Sequence, residues 1–379
     1  MNNETELEKW HDVVRVAHLS GGGRATNPPG PQVSIYPTPQ AKSVEIQLRT
    51  YRSLMDVLDG LHLPVIGIEY YLDQDQIDGL YPSEWRPFDR AFEGGWPVTE
   101  SIRRWADLSN AGVENDDFAF MDVCRRINVE LSACSLKLLD LSEAYHRELQ
   151  SLCRRGDYAE GGRFATANTA FVTARIHAFF SEVGTLRDYL AEFVFRFVLN
   201  DIVSAGNLRT MAGLRRVLVQ AEIDHHPLVA RILEITDERQ PGGWMAILSA
   251  YRNLVVHCVP ISQVSHKGLI LSYCRMKLAS TCMPAVAFLL PRDPFASMRL
   301  HNQEAPFENI KEWMQASLKA ILESDGLDAL DYAHKVLVQI ARLAIEIATF
   351  SPHPPKRRHL TEADLRRPVS SLRDSAIPK

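Results

Sequence analysis

Between residues 120 and 152 the apolar side chains follow a single rule of spacing. Phe120, Cys124, Ile127, Leu131, Cys134, Leu138, Leu141, Tyr145, Leu149 and Leu152 are separated by steps of four and three in near-perfect alternation. On a helix of about 3.6 residues per turn this puts all of them on one stripe, which no strand can do. A helix of that length with one dry face needs a partner of similar length. The chain supplies one after the Gly-containing stretch RRGDYAEGG: Ile176, Phe179, Phe180, Val183, Leu186, Leu190, Phe193, Val194 and Phe197 repeat the pattern. Two long amphipathic helices joined by a short turn predict an antiparallel hairpin, the start of a helical bundle.

The rest of the chain is expected to arrange itself around that hairpin. Residues 1–45, with SGGGRATNPPGPQVSIYPTPQ, carry Gly and Pro too densely for a helix or a central strand and predict a flexible N-terminal segment. Residues 46–115 form a mixed helix and loop region: a helix over 41–61, a short strand at VIGIEYYL, Pro- and Trp-containing loops, and a short helix around ESIRRWADL. Residues 116–350 are expected to be the helical domain. Shorter helices fall at 208–222, 227–238 and 243–258, a final pair at 306–323 and 326–350, and a β-hairpin at about 268–290. Residues 351–379 are Pro-broken and basic, predicting a tail that is disordered or clasps a partner. The expected fold class is mainly α, a helical bundle with a long antiparallel helix hairpin and a small β-hairpin insertion.

At 379 residues the chain can bury a core without help from disulfides or metals. Its six cysteines (Cys124, Cys134, Cys153, Cys258, Cys274, Cys282) never form CxxC, which argues against a zinc ribbon or a redox motif. No apolar run reaches the roughly 18 residues of a membrane span. The opening MNNETELEKWHD lacks the apolar core of a signal peptide, so a cytoplasmic protein without membrane contact is expected. With 42 basic against 47 acidic residues, any nucleic-acid binding must come from a local basic patch.

Chemistry concentrates in residues 242–261, GGWMAILSAYRNLVVHCVPI. Gly242 and Gly243 precede a helix that Pro260 ends. Between Trp244 and Cys258 all residues are apolar, aromatic or small except Ser249, Arg252, Asn253 and His257. Ser249, Asn253 and His257 lie at i, i+4 and i+8, one polar line on a helix otherwise suited to burial. Arg252 is rotated about 140° from His257, so only its long side chain can bring the guanidinium near a ligand shared with the imidazole. A permanent cation in such a helix calls for an anion or a set of acceptors.

The segment Arg252-Asn253-Leu254-Val255-Val256-His257 resembles the Arg-polar-x-x-x-His signature of the HEPN family. The resemblance covers this motif and, loosely, the helical region from 118 to 350. It implies a helical bundle acting as a metal-independent endoribonuclease, of the kind found in toxin–antitoxin and abortive-infection antiphage systems. His257 would then be general acid or base toward the ribose 2′-OH, Arg252 would stabilise the charged phosphate, and Asn253 would orient either. The implied partners are an RNA substrate and a second copy of the chain, since HEPN motif helices typically face each other across a dimer axis. An antitoxin or sensor partner is left undefined. Where some HEPN toxins carry a modifiable tyrosine two residues after the His, this chain has Val259, which places neutralisation by that route in doubt. Ser249, and Glu182 on the preceding long helix, are candidate supporting residues.

The alternative is a catalytically silent helical binding or scaffold protein in which Arg252 and His257 are structural. Asp224-His225-His226 reads as a solvated loop and Gly21–Gly23 as linker rather than phosphate cradle. A metal hydrolase would need a His/Asp/Glu cluster that the spacing does not reveal, so neither metal nor cofactor is expected.

Overall fold

A computed structural model describes residues 13–28, 30–38, 42–48, 53–156, 159–200, 208–221, 226–240, 242–257, 269–275, 282–291, 293–296 and 327–357. The region expected to be flexible is instead the start of a sheet. Strands β1 (Val14–Leu19), β2 (Arg24–Asn27), β3 (Gln32–Tyr36), β4 (Val44–Gln47), β5 (Val65–Tyr71) and β6 (Glu84–Pro87) form one antiparallel sheet in the order β4-β3-β2-β1-β5-β6. The fold is therefore mixed α and β, which corrects the expectation of a mainly α bundle with only a small hairpin.

The physical reason lies in where the breakers fall. In β1 to β4 Gly and Pro occupy the connections and not the strands: Gly21 and Gly22 belong to a one-turn 3-10 helix between β1 and β2, and Pro37 follows β3. Within β3 the burial alternates as a strand with one dry face must, with Val33 and Ile35 inside. Strands of four to six residues show too few periods for that alternation to outweigh the Gly and Pro between them. The helix expected over 41–61 divides likewise into β4 and a shorter helix, α1 (Ser53–Gly60). Ala17, Leu19, Ala25, Val33, Ile35 and Ile68 from the sheet pack with Leu54, Leu58 and Leu61 into a small core of their own.

The second body is helical. After a short α2 (Gln74–Ile77) come α3 (Pro97–Glu114), α4 (Phe118–Arg155) and α5 (Thr169–Phe193), the last running into a π turn at Val194–Val198. Then follow α6 (Met211–Gln220), α7 (Pro227–Thr236), α8 (Trp244–His257) and α9 (Ala329–Ala348). Strand β7 (Arg163–Phe164) joins the hairpin β8 (Leu269–Arg275) and β9 (Cys282–Phe288) in a three-stranded sheet. The helix expected at 306–323 lies outside the described residues.

The long hairpin forms as its spacing requires. Asp117 accepts a hydrogen bond from the Phe120 amide at the start of α4, and Gly156, at φ 71°, closes its end. All ten stripe residues of α4 are buried. Arg126 bonds Glu192 at one end of the hairpin and Glu148 bonds Thr166 at the other, so α4 and α5 run antiparallel. Trp105 of α3 and Phe193 of α5 meet edge to face in the shared core, with centroids 4.7 Å apart. The first residues beyond α9 clasp this body: the Lys356 amide bonds the Asp107 carbonyl at 3.0 Å and His353 bonds Asp117 at 3.1 Å. The rest of the expected tail, from 358, lies outside the described residues. Among the described residues no helix is long and apolar enough to cross a membrane.

Candidate functional site

Two places concentrate polar chemistry: the flank of α8 that the sequence singles out, and a cluster where the first sheet meets α4.

Helix α8 turns Met245, Leu248, Tyr251 and Leu254 inward, with Tyr251 stacked on Phe180 at 5.7 Å and edge-on to Tyr332 at 5.0 Å. Ser249, Arg252 and Asn253 lie on its half-buried flank beside the exposed Val256. The stem of Arg252 crosses α5 at Gly184, where a Cβ would come within 3.1 Å of its Cγ, so the glycine makes room for the arginine. The guanidinium donates to Asn253 Oδ1 at 3.3 Å. Ser249 is drawn elsewhere: its hydroxyl donates to the Met245 carbonyl and accepts from Arg187 Nη1, both at 2.7 Å. Arg187 also pairs with Asp188, whose Oδ1 accepts from the Met211 amide at the start of α6. Ser249 and Arg187 thus tie α8 to α5 and do not extend the Arg252–Asn253 pair.

His257 is the last residue of α8, and its side chain lies outside the described residues. Glu182 is half-buried and faces Glu130 of α4 across the hairpin. Burial, the nearby Glu182 charge and a hydrogen bond between the two carboxyls push Glu130 up to about 7. Glu130 therefore keeps its proton well above the usual carboxylate range and can donate it to Glu182.

The other cluster comes from strands for which the sequence reading had no chemical role. His18 of β1 pairs across the sheet with Arg24 of β2 on one side and Gly67 of β5 on the other. It points away from the small core and toward α4, and is fully buried. Its Nε2 lies 2.6 Å from Glu69 Oε1 and 3.9 Å from Glu143 Oε1, and its Nδ1 lies 3.1 Å from Ser142 Oγ. Arg24, also buried, donates to Glu143 at 2.9 Å and to the carbonyls of Ser142 and Gly23 at 3.1 and 3.0 Å. The second oxygen of Glu69 accepts from Tyr71 at 3.2 Å and from the Ser83 hydroxyl. Trp85 closes one side, its ring 4.7 Å from that of His18 and its Nε1 donating to the Ser135 carbonyl.

The electrostatics follow from this packing. Burial, aided by Arg24, lowers the His18 pKa to about 4 despite the pull of Glu69. Burial alone would raise Glu69, but the bonds from His18 and Ser83 overcome it and hold the carboxyl at about 2. Glu143 is lowered in the same sense, burial being outweighed by Arg24. Near neutral pH the unit therefore comprises two carboxylates, one guanidinium and a neutral imidazole. In that state Nε2–H donates to Glu69 and Nδ1 accepts from the Ser142 hydroxyl.

Water reaches the cluster through Glu143, whose side chain is 35% exposed. It lines a cleft of about 140 Å³ together with Asp140, Arg147, Asn168 and Arg175. A wider cleft of about 570 Å³ lies at the C-terminal part of α4, between Arg154, Gln150, Lys42, Tyr36 and Ser34.

Among the described residues, His18, Glu69 and Glu143 are the group able to hold a metal ion, their ligand atoms lying within 4.8 Å of one another. The expectation that no metal cluster would be found thus meets a candidate that no spacing rule could reveal, because its members are 51 and 74 residues apart. The available signal was an ionisable side chain inside each of two short apolar strands, His18 in VRVAHL and Glu69 in VIGIEYY. No protein-family model matches the chain, and no curated protein or solved structure matches it either.

Proposed function

We propose that the chain is a HEPN-type endoribonuclease whose working residues lie on α8. The observation that supports this reading is the Arg252–Asn253 pair. A guanidinium and a carboxamide, bonded to each other, sit on the half-buried flank of a helix whose opposite face is core, one turn before His257. A guanidinium so placed suits the non-bridging oxygens of a phosphodiester. An imidazole, with an ordinary pKa near 6.5, suits proton transfer at the 2′-OH. Attack of that oxygen on phosphorus, with loss of the 5′ oxygen, leaves a 2′,3′-cyclic phosphate and a 5′-hydroxyl without any metal. One α8 supplies one Arg and one His, so a composite site between two copies of the chain follows from the same reading. A role in growth arrest or antiphage defence comes from the family resemblance.

The test is cleavage of a mixed RNA pool by the full chain and by Arg252→Ala and His257→Ala. Each variant should keep the wild-type circular dichroism and lose at least about 100-fold in cleavage rate, while chelator leaves the wild type active. Wild-type protein that leaves RNA intact, with variants equally folded, would instead mark a catalytically silent binding or scaffold protein.

A further inference from the structure

We propose that His18, Glu69 and Glu143 form a binding site for one first-row divalent cation, of the Zn²⁺ or Mn²⁺ type, at the seam between the first sheet and α4. The proposal is independent of the α8 reading and concerns a different part of the molecule.

Convergence is the first argument. One nitrogen and two carboxylate oxygens, from β1, β5 and α4, lie within 4.8 Å of one another. A cation about 2.0–2.2 Å from each donor in a tetrahedral shell would space the donors about 3.4 Å apart. The separations from His18 Nε2, 2.6 Å to Glu69 and 3.9 Å to Glu143, bracket that value.

Outer support is the second. Metal ligands are normally held by hydrogen bonds on the side away from the ion. Here Ser142 holds Nδ1 of His18, and Tyr71 and Ser83 hold the second oxygen of Glu69, while Arg24 donates to the Glu143 oxygen that faces His18, leaving the other Glu143 oxygen for an ion. On binding, the imidazole proton moves from Nε2 to Nδ1 and Ser142 changes from donor to acceptor, with no net proton lost. The charge count also favours a cation, since two carboxylates face one guanidinium. Arg24 shares its charge with two backbone carbonyls and does not rest on Glu143 alone.

The donor set and its access narrow the ion. One imidazole with two carboxylates suits Zn²⁺, Mn²⁺ or Fe²⁺ better than Ca²⁺, which takes six to eight oxygens. His18 is sealed, so an ion enters past Glu143, the ligand that lines the cleft with Asp140, Arg147 and Arg175.

The experiment titrates the chelator-treated full chain with Zn²⁺ and, separately, Mn²⁺ by calorimetry. One equivalent should bind. Glu143→Gln, at the part-exposed ligand, should weaken binding at least about 100-fold, and Ser142→Ala about 10-fold through loss of outer support. Asp140→Asn, in the cleft but off the ligand set, should bind as wild type. Should Glu143→Gln not fold, Mn²⁺ broadening of the His18 imidazole resonances in the wild-type protein decides. Absence of binding at millimolar metal, equal binding by a folded Glu143→Gln, or broadening that spares His18 would overturn the site.

Discussion

Glu130 is a residue whose protonation the fold alters near neutral pH, and its effect on stability has a definite sign. Its folded pKa, raised to about 7 by burial and by Glu182, lies above the 4.5 of an unperturbed side chain. Between those values the folded chain holds a proton that the unfolded chain has released, so stability declines as pH rises through that window. Glu130 is only half-buried, and solvent screening reduces the effect to about 1 kcal/mol. Between pH 5 and pH 7.5 in urea melts the wild type should lose more stability than Glu130→Gln does, by about 1 kcal/mol, the loss from Asp328, also raised to about 7, being common to both. An identical pH slope in both proteins would mean that Glu130 does not retain a proton in this window. The same scale explains Arg252: its stem fits because residue 184 is Gly, a relation between two helices that no reading of α8 alone contains.

At the scale of elements, helices were legible and strands largely were not. Ten buried positions spread over α4 give nine consecutive agreements with the helical spacing, enough to fix the element and its inner face. The strand β2 has four residues, Arg24–Asn27, two of them polar and one charged, with Gly23 before and Pro28 after. Its membership in the sheet is decided by β1 and β3 on either side, which is tertiary information. The turn between β1 and β2 shows what the glycines are for. Gly22, at φ 91°, lies so close to α4 that a Cβ would sit 2.8 Å from the Tyr145 carbonyl, and His146 Nδ1 donates to the Gly22 carbonyl at 2.8 Å. What composition marks as linker is a wedge seated on the long helix. Gly22→Ala combines an unfavourable left-handed conformation with a backbone clash, and should cost about 2 kcal/mol or more in urea unfolding. Gly30→Ala, also at positive φ but with open space around the added Cβ, should cost less. Equal losses would assign the whole effect to conformation and none to the contact.

For the whole molecule, the question is whether sheet and bundle act as one body. The Arg252–His257 motif could be read from sequence because one helix carries both ends. The seam cluster could not, because only the packing of β1 and β5 against α4 brings its members together. That packing is mostly polar on the sheet's side, through His18, Arg24, Glu69 and Tyr71, with Ile66 and Trp85 adding apolar contact to the larger core. Polar seams hold orientation well but contribute little net stability, because desolvation offsets much of the attraction. The 3-10 turn wedged on α4 and β9, and Met283 of β9 inserted into the smaller core, add packing from the opposite direction. These cross-contacts join the two cores through two separate stretches of chain, so neither can leave without breaking the other's packing. Sheet and bundle should therefore unfold together. Fluorotryptophan NMR can follow this directly, since Trp85 reports the seam and the fully buried Trp105 reports the bundle. Both folded resonances should vanish with one urea midpoint, and Arg24→Met should move the two by the same amount. A Trp85 signal lost first, while Trp105 persists, would make the sheet an independent unit resting on the bundle and the seam a movable joint.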